Sequence, residues 1–429
     1  MINRNFKICS IVVFLCSFST PAMAYLDPGS GSIILYFLAG VFATFIYAIK
    51  SLFFDLSIIF YSFFTKDKIN LNVKKNIVFY SEGGQYWNLF KPIIEELNNL
   101  NIECSYFTSD KFDDGLKFRS TKFDSFFIGD RRFSLISLNY LQAQILVMTT
   151  PQLEIMELKR SKKVNYFVHL IHSPIDALFY NKFAFDYFDC VMCSGKHQIE
   201  SIRALEDKRG TSKKKLLETG LTYYDVMENN KKIEKQQLIT VLIAPSWSNK
   251  SVLTNNFKKL SEIIEVLLKN HHAVIFRPHP HMLQAKKQEM DDLEQVLSVY
   301  KSLIIDKSPS GVGSMNKADV IISDLSGVIF DFFFVYKKPI IVVNSEVNIA
   351  GFEAEDVDKT PWEIEIINQI ASKINLDDID EIPSIVATVI QNNNIQKSDQ
   401  IRLDSVFNYG KAGKVAANQL IDILKDVQC

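Results

Sequence analysis

The chain has no charge excess of either sign. Its 48 lysines and arginines meet 49 aspartates and glutamates, a formal net charge of −1, so it lacks the basic surplus with which a general nucleic-acid binder neutralises phosphates. It also lacks a disulfide framework. The six cysteines, at positions 9, 16, 104, 190, 193 and 429, have no regular spacing, and a reducing compartment suffices for them. Cys190-Val-Met-Cys193 is a lone CxxC without the second pair that zinc would need, which reads as two small buried thiols. No acidic metal cluster is apparent, so neither an essential metal nor a cofactor is expected.

What is present begins at the N-terminus, where much of the chain's phenylalanine, 33 residues in all, is concentrated. Residues 1–24 combine Arg4 and Lys7, an apolar run from Ile8 to Phe18 and Ala22-Met-Ala24, the pattern of a signal peptide or a first membrane segment. A turn-rich hinge over 25–32 leads to Ile33–Ile49, uncharged and just long enough to span a bilayer. Leu52 to Phe64, followed by Lys66, Lys68, Lys74 and Lys75, reads as an interfacial helix with a basic collar for an anionic membrane surface. Positive charge stays inside. Residues 25–75 therefore predict an anchor in a bacterial-type inner membrane, with the bulk of the chain on the cytoplasmic side.

At 429 residues the remainder is too long for one core and divides into two α/β domains, 76–228 and 238–429, across a polar, lysine-rich joint. The first opens with strand Asn76–Tyr80, then Gly83-Gly84, which is either a tight turn or half of a nucleotide loop, then a helix with apolar residues at helical spacing. Its most chemical segment is Phe167-Val-His-Leu-Ile-His-Ser-Pro174. By strand alternation His169 is a core residue, and His172 stands at the strand's exit. Two clusters, Lys159–Lys163 and Lys208–Lys215, read as solvated surface or as a face toward anionic lipid.

The second domain is organised around residues 318–344, which read as strand, turn, helix, strand. Val320–Ile322 and Ile340–Val343 are β-branched runs without alternation, as expected in a parallel sheet covered on both faces. Between them Ser323-Asp324-Leu325-Ser326-Gly327 places small polar residues where a helix begins, an anion site. Upstream, Ala273–Phe276 ends in Arg277-Pro278-His279-Pro280, whose prolines hold the cation on a stiff loop. Asp324 and Asp331 read chiefly as a helix cap and a structural carboxylate. The acidic segment 351–380 reads as a surface excursion, and the chain ends in a helix over 415–427.

These elements resemble the CDP-glycerol glycerophosphotransferase family, which makes teichoic-acid-type polymers. Its Arg-x-His-Pro element is matched by Arg277–Pro280, and its Asp-Tyr-Ser-Ser turn before Phe-Asp by Asp324–Gly327 and Phe330-Asp331, with Leu325 in place of Tyr and Gly327 in place of the second Ser. Pro245-Ser-Trp247, 186–194 and 218–225 also resemble family elements. The resemblance implies an α/β, GT-B-like fold with a cleft between two Rossmann-like domains. It implies transfer of glycerol phosphate or a related polyol phosphate from a CDP-activated donor, a substrate rather than a cofactor, to a lipid-linked or polymer acceptor. It further implies that His172 and His279, one from each domain, are catalytic and face each other across the cleft, and that Arg277, Ser323, Asp324, Ser326 and Gly327 bind the donor. A glycosyltransferase or nucleotide-sugar epimerase of the same fold, or a non-catalytic membrane-anchored relative, is the alternative.

Overall fold

A computed structural model of the chain describes residues 74–428 apart from 156, 235, 248–250, 309 and 345–348, together with 37–38, 40–42 and 44–45. The signal peptide, the span and the interfacial helix expected before residue 75 lie, but for those few positions, outside the described residues. The few are helical and exposed. No helix among the described residues is long and apolar enough to cross a membrane.

From residue 75 onward the chain builds two parallel sheets. The first contains β1 (Lys75–Ser81), β2 (Cys104–Thr108), β3 (Phe123–Phe127), β4 (Ala143–Met148), β5 (Val164–Leu170), β6 (Cys190–Cys193) and β7 (Lys215–Glu218), in the order 3-2-1-4-5-6-7. The second contains β8 (Thr240–Ile243), β9 (Ala273–Phe276), β10 (Leu303–Ile305), β11 (Val320–Ser323), β12 (Ile340–Val343) and β13 (Ala371–Ile374), in the order 10-9-8-11-12-13. Every neighbouring pair runs parallel. Central strands such as β8, β11 and β12 are buried along their whole length, which is why their sequences do not alternate. Outward reversal of strand order beside the first strand makes each sheet a Rossmann-like unit with its crevice at the carboxyl edge.

Two strands escaped the sequence pattern, and both are edges. β7 contributes only Leu216 and Leu217 as apolar residues, and β13 reads Ala-Ser-Lys-Ile. The segment expected as a surface excursion is structural: it holds the helix Trp362–Ile370 as well as β13, and it carries two fully or nearly fully buried glutamates, Glu353 and Glu363. The last helix, Ala412–Gln428, does not stay with the second domain. It crosses back onto the helix Trp87–Asn99, where a Cβ on Gly413 would stand 2.5 Å from Pro92. Asp225 of the first domain caps it, accepting from the main-chain N–H groups of Ala412, at 3.2 Å, and Gly413, at 2.8 Å.

The two sheets are tied by buried charge. Arg209, its side chain 9% exposed, donates to Asp186 at 2.9 Å, to Asp356 at 2.6 Å and to Glu353, and its guanidinium lies 4.6 Å from the centre of the Phe183 ring. Glu353 also accepts from the Ala184 N–H at 2.8 Å. Beside it, Asp176 of the first domain accepts from the Trp362 N–H at 2.9 Å, while its own N–H donates to Glu363. The basic clusters expected at the surface are thus partly internal. Arg160 pairs with Asp189 at 2.8 Å and stacks on Phe167, and Lys214 is buried against Glu206. Cys190 and Cys193 are buried thiols, and burial pushes Cys190 up to about 12.

Removing one partner of a buried ion pair strands the other charge, a loss of about 3–5 kcal/mol. Arg209→Ala should therefore lower the unfolding free energy of the purified chain by about that amount in a denaturant titration, because Glu353 has no exposed surface through which to recover water. A loss below about 1 kcal/mol would show that the seam does not depend on this cation.

Candidate functional site

On the first domain, β5 delivers its histidine. His169 lies in the core, its ring 5.0 Å from those of Phe185 and Phe188 and both ring nitrogens without a hydrogen-bond partner; burial drives it down to about 3. Two residues past the strand, His172 is held edge-on between Tyr86, at 5.3 Å, and Tyr180, at 6.1 Å. Gly83-Gly84 leads into the short turn that brings Tyr86 there. The Nδ1 of His172 is buried without a partner, which leaves Nε2 as the nitrogen able to meet a substrate. Burial lowers this imidazole to about 4. His172 is therefore neutral throughout the physiological range and a weaker base than free imidazole.

On the second domain, the exits of β8, β9, β10 and β11 lie side by side. The Arg277 N–H donates to the Ile243 carbonyl, and the Asp306 N–H to the Phe276 carbonyl, both at 2.8 Å. Arg277 leans on the neighbouring exit: its Nη1 is 2.7 Å from Asp306, which also accepts from Ser314 and Ser308. Those bonds and the guanidinium hold Asp306 down to about 2. His279 uses Nδ1 to accept from the His281 N–H at 3.3 Å, so its proton resides on Nε2, as a donor. Its ring stacks near those of Trp247 and His281, with centroids at 6.3 and 5.4 Å.

The turn after β11 splits into two roles. Ser323 and Asp324, read from the sequence as donor ligands, turn inward. The Ser323 hydroxyl donates to the Ala244 carbonyl at 2.5 Å, and the Asp324 carboxylate accepts from the Ser246 N–H at 2.6 Å and the Ser251 hydroxyl at 2.5 Å. They brace the loop that carries Trp247. Ser326 instead begins the helix Gly327–Asp331 in an extended conformation without a side-chain cap bond, so its hydroxyl remains available beside the first main-chain N–H groups of the helix. A Cβ on Gly327 would lie 3.1 Å from the hydroxyl of Ser173, the residue after His172. A side chain at 327 would press on that hydroxyl.

The structure thus brings the His172 loop to the Ser326–Gly327 turn and sets Arg277 and His279 along the same edge. The ring neighbours of His172 are Tyr86 and Tyr180, and those of His279 are Trp247 and His281. Sequence reading missed Asp306, Tyr86 and Tyr180. Only Asp306 left a signal, as a carboxylate directly after an apolar strand. The exits of the second sheet thus carry a hydroxyl and main-chain N–H groups at the Ser326–Gly327 turn, a guanidinium at Arg277 and an imidazole N–H at His279, groups of the kinds that suit a diphosphate.

Comparison with known structures supports the same architecture. The wall teichoic acid polymerase TagF superposes with a TM-score of 0.51 at 16% identity, covering 82% of this chain and 89% of that one. The UDP-GlcNAc 2-epimerase of Methanocaldococcus jannaschii, in complex with UDP-GlcNAc and UDP, gives 0.55 at 15% identity, covering 82% and 100%. A UDP-N-acetylglucosamine 2-epimerase from Listeria monocytogenes gives 0.54 at 11%, covering 82% and 96%. At these identities the likeness is one of fold: GT-B-like, with two Rossmann-like domains. No curated protein sequence matches the chain. Residues 186–350, which include Arg277, His279 and the Ser326–Gly327 turn, match the model of the CDP-glycerol:poly(glycerophosphate) glycerophosphotransferases.

Proposed function

We propose that the chain transfers glycerol phosphate, or a related polyol phosphate, from a CDP-activated donor to a lipid-linked or polymer acceptor, in the synthesis of a teichoic-acid-type envelope polymer. The observation that carries this reading is the 3.1 Å approach of the Gly327 Cβ position to Ser173, which sets the loop of a proton-accepting histidine against a phosphate-suited turn. An acceptor hydroxyl attacks the phosphorus that bears the polyol, the bond to CMP breaks, and the hydroxyl proton passes to Nε2 of His172. Arg277, the Nε2–H of His279, the Ser326 hydroxyl and the N–H groups of the 326–329 turn balance charge on the diphosphate and on the departing CMP. Ser323 and Asp324 act by holding the Trp247 loop in place.

A purified preparation given CDP-glycerol and an acceptor should release CMP; release of UDP from UDP-sugars, with none of CMP, would favour the epimerase or glycosyltransferase reading. Within the site, two substitutions should separate. Arg277→Ala should weaken donor binding about tenfold to a hundredfold, the worth of a charged hydrogen bond. His172→Ala should lower kcat by roughly 10²–10⁴ with little change in donor affinity. Because burial sets His172 near 4, the acid limb of kcat should fall near that pH, and a limb near 6.5 would show an imidazole exposed to water during turnover.

The reading also places residues 65–429 on the cytoplasmic face of a membrane, where soluble nucleotide donors are available, on the strength of the lysines that follow the apolar N-terminal runs. A reporter inserted after Lys75 should be active in the cytoplasm, and activity only outside it would reverse the topology.

A further inference from the structure

Asp331 ends the helix that begins at Gly327. Four positions along a helix return to the same face, so Asp331 shares with Gly327 the face turned to the first domain. Its carboxylate crosses the cleft there, accepting from the Tyr223 hydroxyl at 3.2 Å. Tyr224 is fully buried and lies near enough for Asp331 to raise its pKa. Tyr336, on the continuation of the same helical run, feels Asp331 as well. Arg277 lies close enough to pull Tyr223 downward.

Burial lifts the Asp331 carboxyl to about 7, against the opposing pull of the two phenols of residues 223 and 224. Of the groups around it, Tyr223, Tyr224 and Tyr336 are all raised above the ordinary phenol value and stay neutral. Across the cleft His172 is already neutral. Asp331 therefore dominates the titration of this cluster between pH 6 and 8. One turn of helix, about 5.4 Å, separates it from the turn to which the proposed donor presents its diphosphate, and like charges at such a distance favour the protonated acid.

We propose that Asp331 is the proton-coupled group of the donor site: it takes up a proton from solvent as the nucleotide diphosphate settles on the Ser326–Gly327 turn, and returns it when the nucleotide leaves. The inference rests on the donor reading given above. Its bond to Tyr223 makes the switch felt in both domains, since the hydrogen bond to a carboxylate is stronger than that to a carboxylic acid. The sign follows from linkage. The bound state holds the higher pKa, so affinity is greatest below about pH 7 and falls as pH rises through 7, by at most tenfold per pH unit.

The test is calorimetric titration of the detergent-solubilised full chain with CDP at pH 7, in buffers of different ionisation enthalpy. The wild type should take up roughly half a proton more than Asp331→Asn, and CDP affinity in Asp331→Asn should be flatter between pH 6.5 and 8. Tyr223→Phe, which keeps the carboxyl but removes the partner of its charged form, should move the fall in affinity to higher pH. CDP binding with equal proton balance in wild type and Asp331→Asn, or an unmoved profile in Tyr223→Phe, would overturn the proton coupling while leaving the donor site standing. Failure of CDP to bind at any pH would end both.

Discussion

Parallel pairing is the constraint on which the rest of this molecule depends. Once β8, β9, β10 and β11 run the same way in register, their carboxyl ends form one line, and the residues that follow each strand are neighbours whatever their distance in sequence. The same holds for β4, β5 and β6 in the first sheet. Burial on both faces enforces the arrangement, since the apolar runs of β11 and β12 have nowhere else to go. Chemistry is then confined to the strand exits, the places where polar side chains leave a sheet without being covered by its helices.

The exits would be of little use if the two sheets were free to drift. Arg209 with its three carboxylates, and the reciprocal bonds between Asp176 and the start of the helix Trp362–Ile370, fix one side of the seam. The Tyr223–Asp331 bond marks another point. These contacts differ in kind. The Arg209 cluster pairs opposite charges out of water, and breaking it costs heavily; the phenol–carboxyl bond is worth less and depends on one proton.

Much of this was legible in the sequence. Unalternated β-branched runs gave the central strands, and an arginine, histidines and a serine-glycine turn immediately after such runs marked the exits that matter. What could not be read was set by packing between segments distant in the chain. Nothing local distinguishes Glu353 or Glu363 from surface glutamates; only the neighbouring Arg209 and Asp176 make them internal. Lys213–Lys215 looked like a solvated cluster, yet Lys214 is buried against Glu206 and Lys215 opens an edge strand. The inward turn of Ser323 and Asp324 was equally hidden, because a short polar side chain at a strand end can serve a ligand or a neighbouring loop with the same local sequence.

The return of the helix Ala412–Gln428 to the first domain bears on how the chain comes to be folded. Gly220, at φ +93, lets residues 405–412 pass so closely that a Cβ would run into the Phe407 carbonyl, and the Gly413 N–H meets Asp225 across 188 positions of chain. During synthesis the first sheet must wait, with the apolar face of the helix Trp87–Asn99 uncovered, until the whole second sheet has been made. A long-range closure of this kind slows folding and leaves a sticky intermediate in the meantime. The two domains are separate in architecture, yet the apolar face of the helix Trp87–Asn99 is completed only by the helix Ala412–Gln428.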